Sequence, residues 1–282
     1  MKIEKYKKGF FVEKDKYFDP LKTFDCGQCF RFKKTEKGIR GVVFNSVINI
    51  EGENEGYYIY GSGKIELDKL EFFLDFDNNY AKIEKFLKKD EIIIPALSYG
   101  MGIRILKQDF FETLISFIIS QQNNIPRITK TVEKFAELFG DKIEYDGEVF
   151  YTFPTPEKVK KITILDLEPL KCGYRAKYII DAIEKVNSGE IDFEKLKKMD
   201  YQAAKNELLR ISGVGEKVAD CICLFSLGCF SAFPTDTWIK KAMDKLYKIP
   251  EKEISEKSRA LFGEYSGIAQ QYLFYYLRYN RP

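Results

Sequence analysis

The sequence predicts an α+β protein, with an antiparallel sheet in its first hundred residues and a mainly helical remainder. Short segments rich in aromatic and β-branched residues, separated by glycine and asparagine, occupy residues 9–60. From about residue 100 the apolar residues recur at helical spacing over longer segments. We therefore expect two regions, residues 1–100 and residues 101–282.

In the first region, strands are expected at residues 30–32, 39–50 and 57–60, with a polar turn at residues 51–56. A short amphipathic helix is expected at residues 80–88. In the second region, the apolar run at 110–120 predicts a buried helix, and the amides of Gln121-Gln-Asn-Asn124 mark a loop or a new helix start. Further helices are expected at residues 129–139, 178–186, 201–211, 216–227, 237–246 and 269–279.

The most informative segment is the glycine turn Gly213-Val-Gly215, which lies between two predicted helices. Glycine gives the turn backbone freedom, and the second helix begins with free N–H groups that bind an anion. Lys217 lies in the first turn of that helix, where the helix dipole repels a cation, so its placement favours a functional role. The alternative is an ordinary helix–turn–helix corner in which the glycines only turn the chain.

A carboxylate follows nineteen residues after this lysine, at Asp236 in the segment Pro234-Thr-Asp236-Thr-Trp238. Its simplest interpretation is an N-cap for the helix that begins near Thr237. A capping carboxylate can still place negative charge in a cleft. An anion site, an amine and a carboxylate together suggest chemistry on the backbone or sugar of a nucleic acid.

Composition excludes several classes of protein. The chain has no histidine, which removes Ser-His and Cys-His nucleophiles and histidine metal sites. The net charge of +3 permits a nucleic-acid partner without arguing for one. The six cysteines are interpreted as reduced intracellular thiols, and Cys26-Gly-Gln-Cys29 lacks a second pair for a zinc site. The chain start lacks a signal peptide's apolar segment and no run of about 18 apolar residues occurs, so no membrane association is expected.

Taken together, these segments resemble the 8-oxoguanine DNA glycosylases of the helix-hairpin-helix superfamily, over about residues 18–280. The matching segments, in the family's order, are Gly27-Gln-Cys-Phe-Arg31, Ile103-Arg-Ile-Leu-Lys-Gln-Asp109, Asn123-Asn-Ile-Pro-Arg-Ile-Thr129, Gly173-Tyr-Arg-Ala-Lys-Tyr178, Gly213-Val-Gly-Glu-Lys-Val-Ala-Asp-Cys-Ile-Cys-Leu224, and Gly267-Ile-Ala-Gln270 with Phe274. The resemblance implies a TBP-like N-terminal sheet domain and a helix-hairpin-helix at about residues 201–227.

The resemblance also implies the roles of individual residues. Lys217 matches the nucleophile that attacks the sugar C1′ and forms a Schiff base, and Asp236 matches the aspartate that favours the cationic sugar. The residues implied in binding the base are Gly27 as acceptor of the N7–H of 8-oxoguanine, Cys221 and Phe274 as the two sides of the base sandwich, and Gln270 as reader of the Watson–Crick edge.

DNA contacts outside the base pocket are implied as well. They involve the glycines of the hairpin, an aromatic wedge, arginines that contact the orphaned cytosine and a loop that fills the gap, namely Gly213, Gly215, Tyr174, Arg127, Arg175, Asn123 and Gln122. Two positions depart from the family pattern. Trp238 replaces a common histidine, and Gln122 replaces an asparagine of the gap-filling loop.

The resulting expectation is a DNA glycosylase and DNA lyase that excises 8-oxoguanine from duplex DNA. We expect a monomer that acts without a metal, a nucleotide or another cofactor, in the cytoplasm in association with DNA. Two alternatives stay open. One is a monofunctional glycosylase for alkylated bases, against which Lys217 argues, and the other is a non-catalytic DNA-binding module whose hairpin only contacts phosphate.

Overall fold

The computed structural model describes residues 3–63 and 65–280, and it begins with a six-stranded antiparallel sheet of strand order β1-β2-β6-β5-β4-β3. Its strands are β1 Ile3–Tyr6, β2 Gly9–Glu13, β3 Phe32–Lys34, β4 Gly38–Val43, β5 Ser46–Glu53 and β6 Gly56–Gly61. The predicted strands are present with shifted ends. Phe30 was expected to open a strand, but it is buried in the helical core instead, with its ring 5.6 Å from that of Phe117.

The rest of the described chain is mainly helical, so the predicted α+β class is confirmed. The helices are α1 Pro20–Asp25, α2 Leu67–Phe73, α3 Tyr80–Leu87, α4 Ile94–Gly100, α5 Phe110–Ser120, α6 Ile125–Phe139, α7 Pro156–Val159, α8 Arg175–Asn187, α9 Phe193–Leu196, α10 Tyr201–Leu208, α11 Glu216–Phe225, α12 Thr237–Tyr247, α13 Ile254–Phe262 and α14 Ser266–Tyr279. The predicted helices agree within a few residues, and α6 starts four residues earlier than expected.

Several short elements were not predicted. They are helices α1, α2, α4, α7, α9 and α13, together with a two-stranded hairpin of β7 Lys142–Tyr145 and β8 Glu148–Tyr151. All of these helices except α13 have at most seven residues, too few for apolar periodicity to show, whereas the nine residues of α13 were missed. The hairpin did have a signal, because Asp146-Gly147 provides the two positive φ angles, 54° and 75°, that its turn requires.

The protein has two hydrophobic cores, and the chain near residue 100 contributes side chains to both of them. Leu97 packs in the core of the helical region, whereas Leu106 packs in the core under the sheet. Between them, the buried guanidinium of Arg104 donates to the carbonyls of Leu74 and Tyr17 at 3.0 and 3.2 Å. The boundary near residue 100 stays a prediction, and the outer ends of both predicted regions, residues 1, 2, 281 and 282, lie outside the described residues.

Side-chain caps fix the starts of the helices that carry the candidate site. Asp109 accepts from the backbone N–H of Glu112 at the start of α5, and Asn124 accepts from that of Arg127 at the start of α6. None of the helices within the described ranges is both long and apolar enough to cross a membrane.

Candidate active site

A cleft of about 800 Å³ is bordered by the N-terminus of α11, the loop between α5 and α6, the turn after α1, and α14. It brings together most of the predicted site residues, namely Gly27, Gln122, Asn123, Gly215, Lys217, Cys221, Asp236, Gln270 and Phe274. Its lining does not include Arg127, Tyr174, Arg175 and Gly213.

The predicted helix-hairpin-helix is formed by α10, a tight turn and α11, and its two glycines differ. Gly213 has a φ of +78°, and a Cβ there would lie 2.3 Å from the Tyr178 ring, so both conformation and space require glycine. Gly215 has a φ of −96°, which any residue adopts, so the expectation that it needs glycine's freedom was wrong. No atom lies within 4 Å of a Cβ on Gly215, however, which leaves the start of α11 open to a close ligand.

The N-terminus of α11 has no side-chain cap, because its N-cap residue is Gly215. The first backbone N–H groups of the helix therefore face the cleft region without an intrahelical acceptor. Together with the positive end of the helix dipole, they form a site suited to a phosphate.

Lys217 is half-buried in the first turn of α11, as predicted, and lines the cleft. Its Nζ lies 3.5 Å from the Ser120 hydroxyl and 5.0 Å from the centroid of the Phe117 ring. Both contacts are weak by the standard of hydrogen bonds to charged groups. The amine thus contacts α5 and makes no ion pair with any of the described residues.

Asp236 is the N-cap of α12, which confirms the simplest interpretation of this residue. One of its carboxylate oxygens, Oδ1, accepts from the backbone N–H groups of Trp238 and Ile239, each at 2.9 Å. Burial raises the pKa of Asp236, while the two capping hydrogen bonds and the charge of Lys217 lower it. The carboxylate therefore caps a helix and interacts electrostatically with the candidate amine across the same cleft.

The two residues predicted to sandwich a base lie on different helices. Cys221 is one turn after Lys217 on α11, and burial raises the pKa of its thiol to about 12, so the thiol stays neutral. Phe274 is half-buried on α14, and a Cβ on Gly27 would lie 3.2 Å from its ring. The Gly27 turn and the Phe274 ring are therefore in contact in the free protein.

Two hydrogen-bond acceptors of the cleft have no donor among the described residues. The side-chain oxygen of Gln270 is buried without a hydrogen bond. No hydrogen-bond donor to the Gly27 carbonyl is found within the described ranges either, although neighbouring carbonyls have donors. Gly27 and Gln270 both belong to the lining of the cleft, so a ligand bound there can reach both acceptors.

The loop after α5 contacts the start of α8, where two further predicted residues lie. The exposed Tyr174 contacts the Gln122 amide through its hydroxyl at 3.4 Å. Arg175 is buried, and its guanidinium donates to the carbonyls of Gln121, Gln122 and Cys172. Arg175 thus holds the loop between α5 and α6 against the start of α8.

Asn123 and Arg127 lie at the two ends of the same segment. The Asn123 amide donates to the Ile119 carbonyl at 3.1 Å, and Arg127 donates to the Lys171 carbonyl at 3.2 Å from an exposed position. Gln122, directly before Asn123, has a positive φ of 45°, which is uncommon outside glycine. Gln122 is therefore an exposed residue with a strained backbone in the lining of the cleft.

Sequence reasoning missed three residues that line the cleft. Ser120 and Phe117, one turn apart on α5, contact Lys217, and a signal existed in the hydroxyl at the C-terminal end of a mainly apolar helix. Arg278 continues the spacing of Gln270 and Phe274 by one more helical turn. All six cysteines are free thiols, and no cluster of His, Cys, Asp and Glu suited to a metal ion occurs in residues 3–63 and 65–280.

Two family models match the chain in sequence. The model of the 8-oxoguanine DNA glycosylase N-terminal domain matches residues 11–114, and that of the HhH-GPD superfamily of base excision DNA repair proteins matches residues 115–265. Together they cover the sheet except β1 and the start of β2, and the helical region up to the residue before α14.

Individual relatives agree with these models. The probable N-glycosylase/DNA lyase of Methanothermobacter thermautotrophicus is 31% identical over 75% of this chain and 74% of the relative. N-glycosylase/DNA lyase OGG1 of Arabidopsis thaliana is 33% identical over 89% of this chain and 75% of the relative. A solved structure of Clostridium acetobutylicum 8-oxoguanine glycosylase/lyase, in complex with double-stranded DNA containing cytosine opposite 8-oxoG, is 40% identical with a TM-score of 0.94, covering 100% of this chain and 99% of that chain. The chain therefore belongs to the 8-oxoguanine DNA glycosylases of the HhH-GPD superfamily of base excision DNA repair proteins.

Proposed function

We propose that this protein excises 8-oxoguanine from double-stranded DNA and then cleaves the resulting abasic strand. The observation that carries the proposal is that one cleft contains the Lys217 amine and the Asp236 carboxylate, together with two acceptors, the Gly27 carbonyl and the Gln270 side-chain oxygen, that have no donor among the described residues. The protein acts as a monomer on DNA inside the cell, and the proposed chemistry uses no metal or nucleotide cofactor.

Base recognition follows from these two acceptors. A flipped base enters between the Cys221 thiol and the Phe274 ring, with the Gln270 amide on its Watson–Crick edge. The Gly27 carbonyl accepts the N7–H of 8-oxoguanine. Guanine has no hydrogen at N7, and leaving a buried carbonyl unpaired costs about 1–3 kcal/mol, so guanine binds about 5- to 150-fold more weakly.

The chemistry begins once the Lys217 amine has lost its proton. Its Nζ forms a bond to the sugar C1′, the bond between C1′ and N9 breaks, and the bonding electron pair leaves with the base, which takes up a proton. Positive charge grows on the sugar as this bond breaks, and the Asp236 carboxylate stabilises it. Opening of the sugar ring gives a Schiff base, after which loss of a C2′ proton expels the 3′-phosphate by β-elimination.

DNA is held by the start of α11 and by the loops around it. The free N–H groups near Gly215 bind a backbone phosphate, which polar main-chain groups do without a basic side chain. Tyr174 enters the base stack, and Gln122 and Asn123 fill the space of the flipped nucleotide. Arg127 and Arg175 contact the cytosine opposite the lesion. To do so, Arg175 gives up one of its hydrogen bonds to the loop carbonyls and donates to the cytosine instead.

Borohydride trapping tests the proposal. Borohydride reduces a Schiff base to a stable covalent adduct, so the native protein should be trapped on a duplex with 8-oxoguanine opposite cytosine. Lys217→Gln should give no adduct while still binding the duplex. The exposed Lys197 provides the matched control, since Lys197→Gln should be trapped like the native chain.

The same assay separates the alternatives. A native chain that releases base without any adduct would be a monofunctional glycosylase in which water attacks the sugar. A native chain that binds duplex DNA but releases no base from any lesion would be a DNA-binding module only. Either result would overturn the assignment of Lys217 as the nucleophile.

A further inference from the structure

The turn formed by residues 25–28, named here the Gly27 turn, is held by side chains on three of its four carbonyls. The Asp25 carbonyl accepts from Arg278 and Tyr279, each at 3.3 Å. The Cys26 carbonyl accepts from Gln271 at 3.2 Å, and the Gln28 carbonyl accepts from Gln108 at 2.7 Å. Within the described residues the carbonyl left over is that of Gly27.

Helix α14 supplies the donors to two of these carbonyls. It carries Gln270 and Phe274, which face the base pocket, and also Gln271 and Arg278, which reach the Gly27 turn. One rigid helix therefore presents the base-reading amide and fixes the segment that carries the candidate N7–H acceptor. The two sides of the pocket are linked across 245 residues of sequence by the Gln271 side chain.

Gln271 is built into the core at this point. Its side chain is 3% exposed, and Nε2 lies 3.2 Å from both the carbonyl oxygen and the thiol sulfur of Cys26. A second buried amide, that of Gln28, donates to the same sulfur at 3.3 Å and to the Thr23 carbonyl at 2.8 Å. The Cys26 peptide is thus restrained on the side next to Gly27.

We propose that Gln271 is a positioning residue for lesion selection. By holding the Cys26 peptide, it keeps the next carbonyl, that of Gly27, at the distance from Gln270 that 8-oxoguanine spans. Hydrogen bonds weaken steeply with distance and angle, and functional groups need placement within about 0.5 Å. The inference rests on the proposed function, because selection by Gly27 matters only if the chain removes 8-oxoguanine.

Two steps of the reaction should respond differently to loss of Gln271. Excision of 8-oxoguanine uses the Gly27 carbonyl, whereas cleavage at a preformed abasic site uses Lys217 and has no base to read. Gln271→Met keeps the length of the side chain and removes the donor. We expect it to slow excision about 10-fold, the effect of one hydrogen bond, and to change abasic-site cleavage less than about 2-fold.

The experiment compares single-turnover rates on two duplexes, one with 8-oxoguanine and one with an abasic site, each opposite cytosine. The matched control is Gln202→Met on the exposed face of α10, which should leave both rates unchanged. Parallel loss of both rates in Gln271→Met would indicate a merely structural role and overturn the inference, as would an unchanged excision rate.

A second variant decides the matter if Gln271→Met does not fold. Gln271→Glu keeps the size and shape of the side chain and replaces the donor to the Cys26 carbonyl with an acceptor. It should lower the ratio of excision to abasic-site cleavage in the same direction, and an unchanged ratio would overturn the inference. A native protein that excises no 8-oxoguanine overturns the proposed function instead, so the two failures are distinguishable.

Discussion

The Lys217 amine lies 3.5 Å from the hydroxyl of Ser120, the last residue of helix α5. Ser120 donates its own hydrogen to the Phe117 carbonyl at 2.8 Å, so its oxygen is free to accept from the amine. The amine also lies over the Phe117 ring. A nucleophile carried by α11 is therefore placed by a different helix, through contacts weak enough to be exchanged for a sugar carbon.

Replacing this hydroxyl should slow the chemical step. Ser120→Ala removes the acceptor for the amine, and loss of one such hydrogen bond corresponds to a rate decrease of about 3- to 10-fold. Substrate affinity should change little, because the hydroxyl contacts the lysine rather than the DNA. Single-turnover excision and the yield of borohydride adduct measure the effect.

The matched control for this substitution is Ser226→Ala. The Ser226 hydroxyl is also buried but has no hydrogen-bond partner, so its removal should leave the rate unchanged. Equal rates for Ser120→Ala and the native protein would show that the amine is placed by other groups.

The two roles of Asp236, capping and charge, should be separable. Asparagine is about as good an N-cap as aspartate, so Asp236→Asn should change stability by less than about 1 kcal/mol. It removes the negative charge next to the sugar, for which a loss of about 100-fold in excision rate is expected by analogy with other electrostatic stabilisers. Thermal melting and single-turnover kinetics measure the two effects.

Asp200 offers the control, because it caps α10 in the same way by accepting from the Ala203 backbone N–H at 2.9 Å. Asp200→Asn should leave excision at the native rate. If Asp236→Asn retained native activity, the carboxylate would be a helix cap and nothing more.

The comparison of sequence and structure shows which features local patterns reveal. Lys217 and Asp236 were predictable because each belongs to a local sequence signal of a few neighbouring residues. The signal is a glycine turn before a helix for Lys217 and a helix N-cap for Asp236. The contact between Lys217 and Ser120 spans 97 residues, and that between Gln271 and Cys26 spans 245, so neither leaves a local pattern. Helix α9, four residues long, is shorter than any window in which helical periodicity is visible.

Arg175 illustrates a different limit. Its position after Gly173 and Tyr174 was recognisable, but its orientation was not, because the guanidinium is directed by the carbonyls of a loop 53 residues earlier. A sequence motif identifies the residue types at a site. The hydrogen bonds that the same side chains make in the free protein depend on tertiary packing.

The contact between Gly27 and Phe274 predicts how the pocket responds to one added methyl group. Gly27→Ala places a Cβ 3.2 Å from the Phe274 ring on a backbone with a φ of +78°. The left-handed conformation costs about 1–2 kcal/mol for alanine, and the ring must move away from its base-stacking position. Stability should fall by about that amount, and 8-oxoguanine excision should fall more than abasic-site cleavage.

Gly147→Ala isolates the backbone effect. Gly147 has a φ of +75° in the hairpin of β7 and β8, and no atom lies within 4 Å of its added Cβ. It should lose similar stability, measured by melting temperature, while its excision rate stays native. A Gly27→Ala protein with native excision would contradict the assignment of this turn to the base pocket.

A carboxyl group outside the cleft should make stability depend on pH. Burial raises the pKa of Glu112 to about 7, opposed by the charge of Arg31 and reinforced by Asp109 and Glu133. The folded state therefore binds a proton that the unfolded chain, with an ordinary pKa near 4.3, has already lost, so stability falls as pH rises between these values. The full difference is about 4 kcal/mol, at about 1.4 kcal/mol per unit.

Glu112→Gln removes the titrating group and should flatten this dependence. We expect its melting temperature to change less between about pH 5 and about pH 8 than that of the native protein. At about pH 8, Glu112→Gln should be the more stable of the two proteins. Glu256→Gln is the control, because it removes an exposed carboxylate on α13 that does not contribute to the pKa of Glu112, and it should keep the native pH dependence. Identical pH profiles for Glu112→Gln and the native protein would show that Glu112 is ionised in the fold throughout this range.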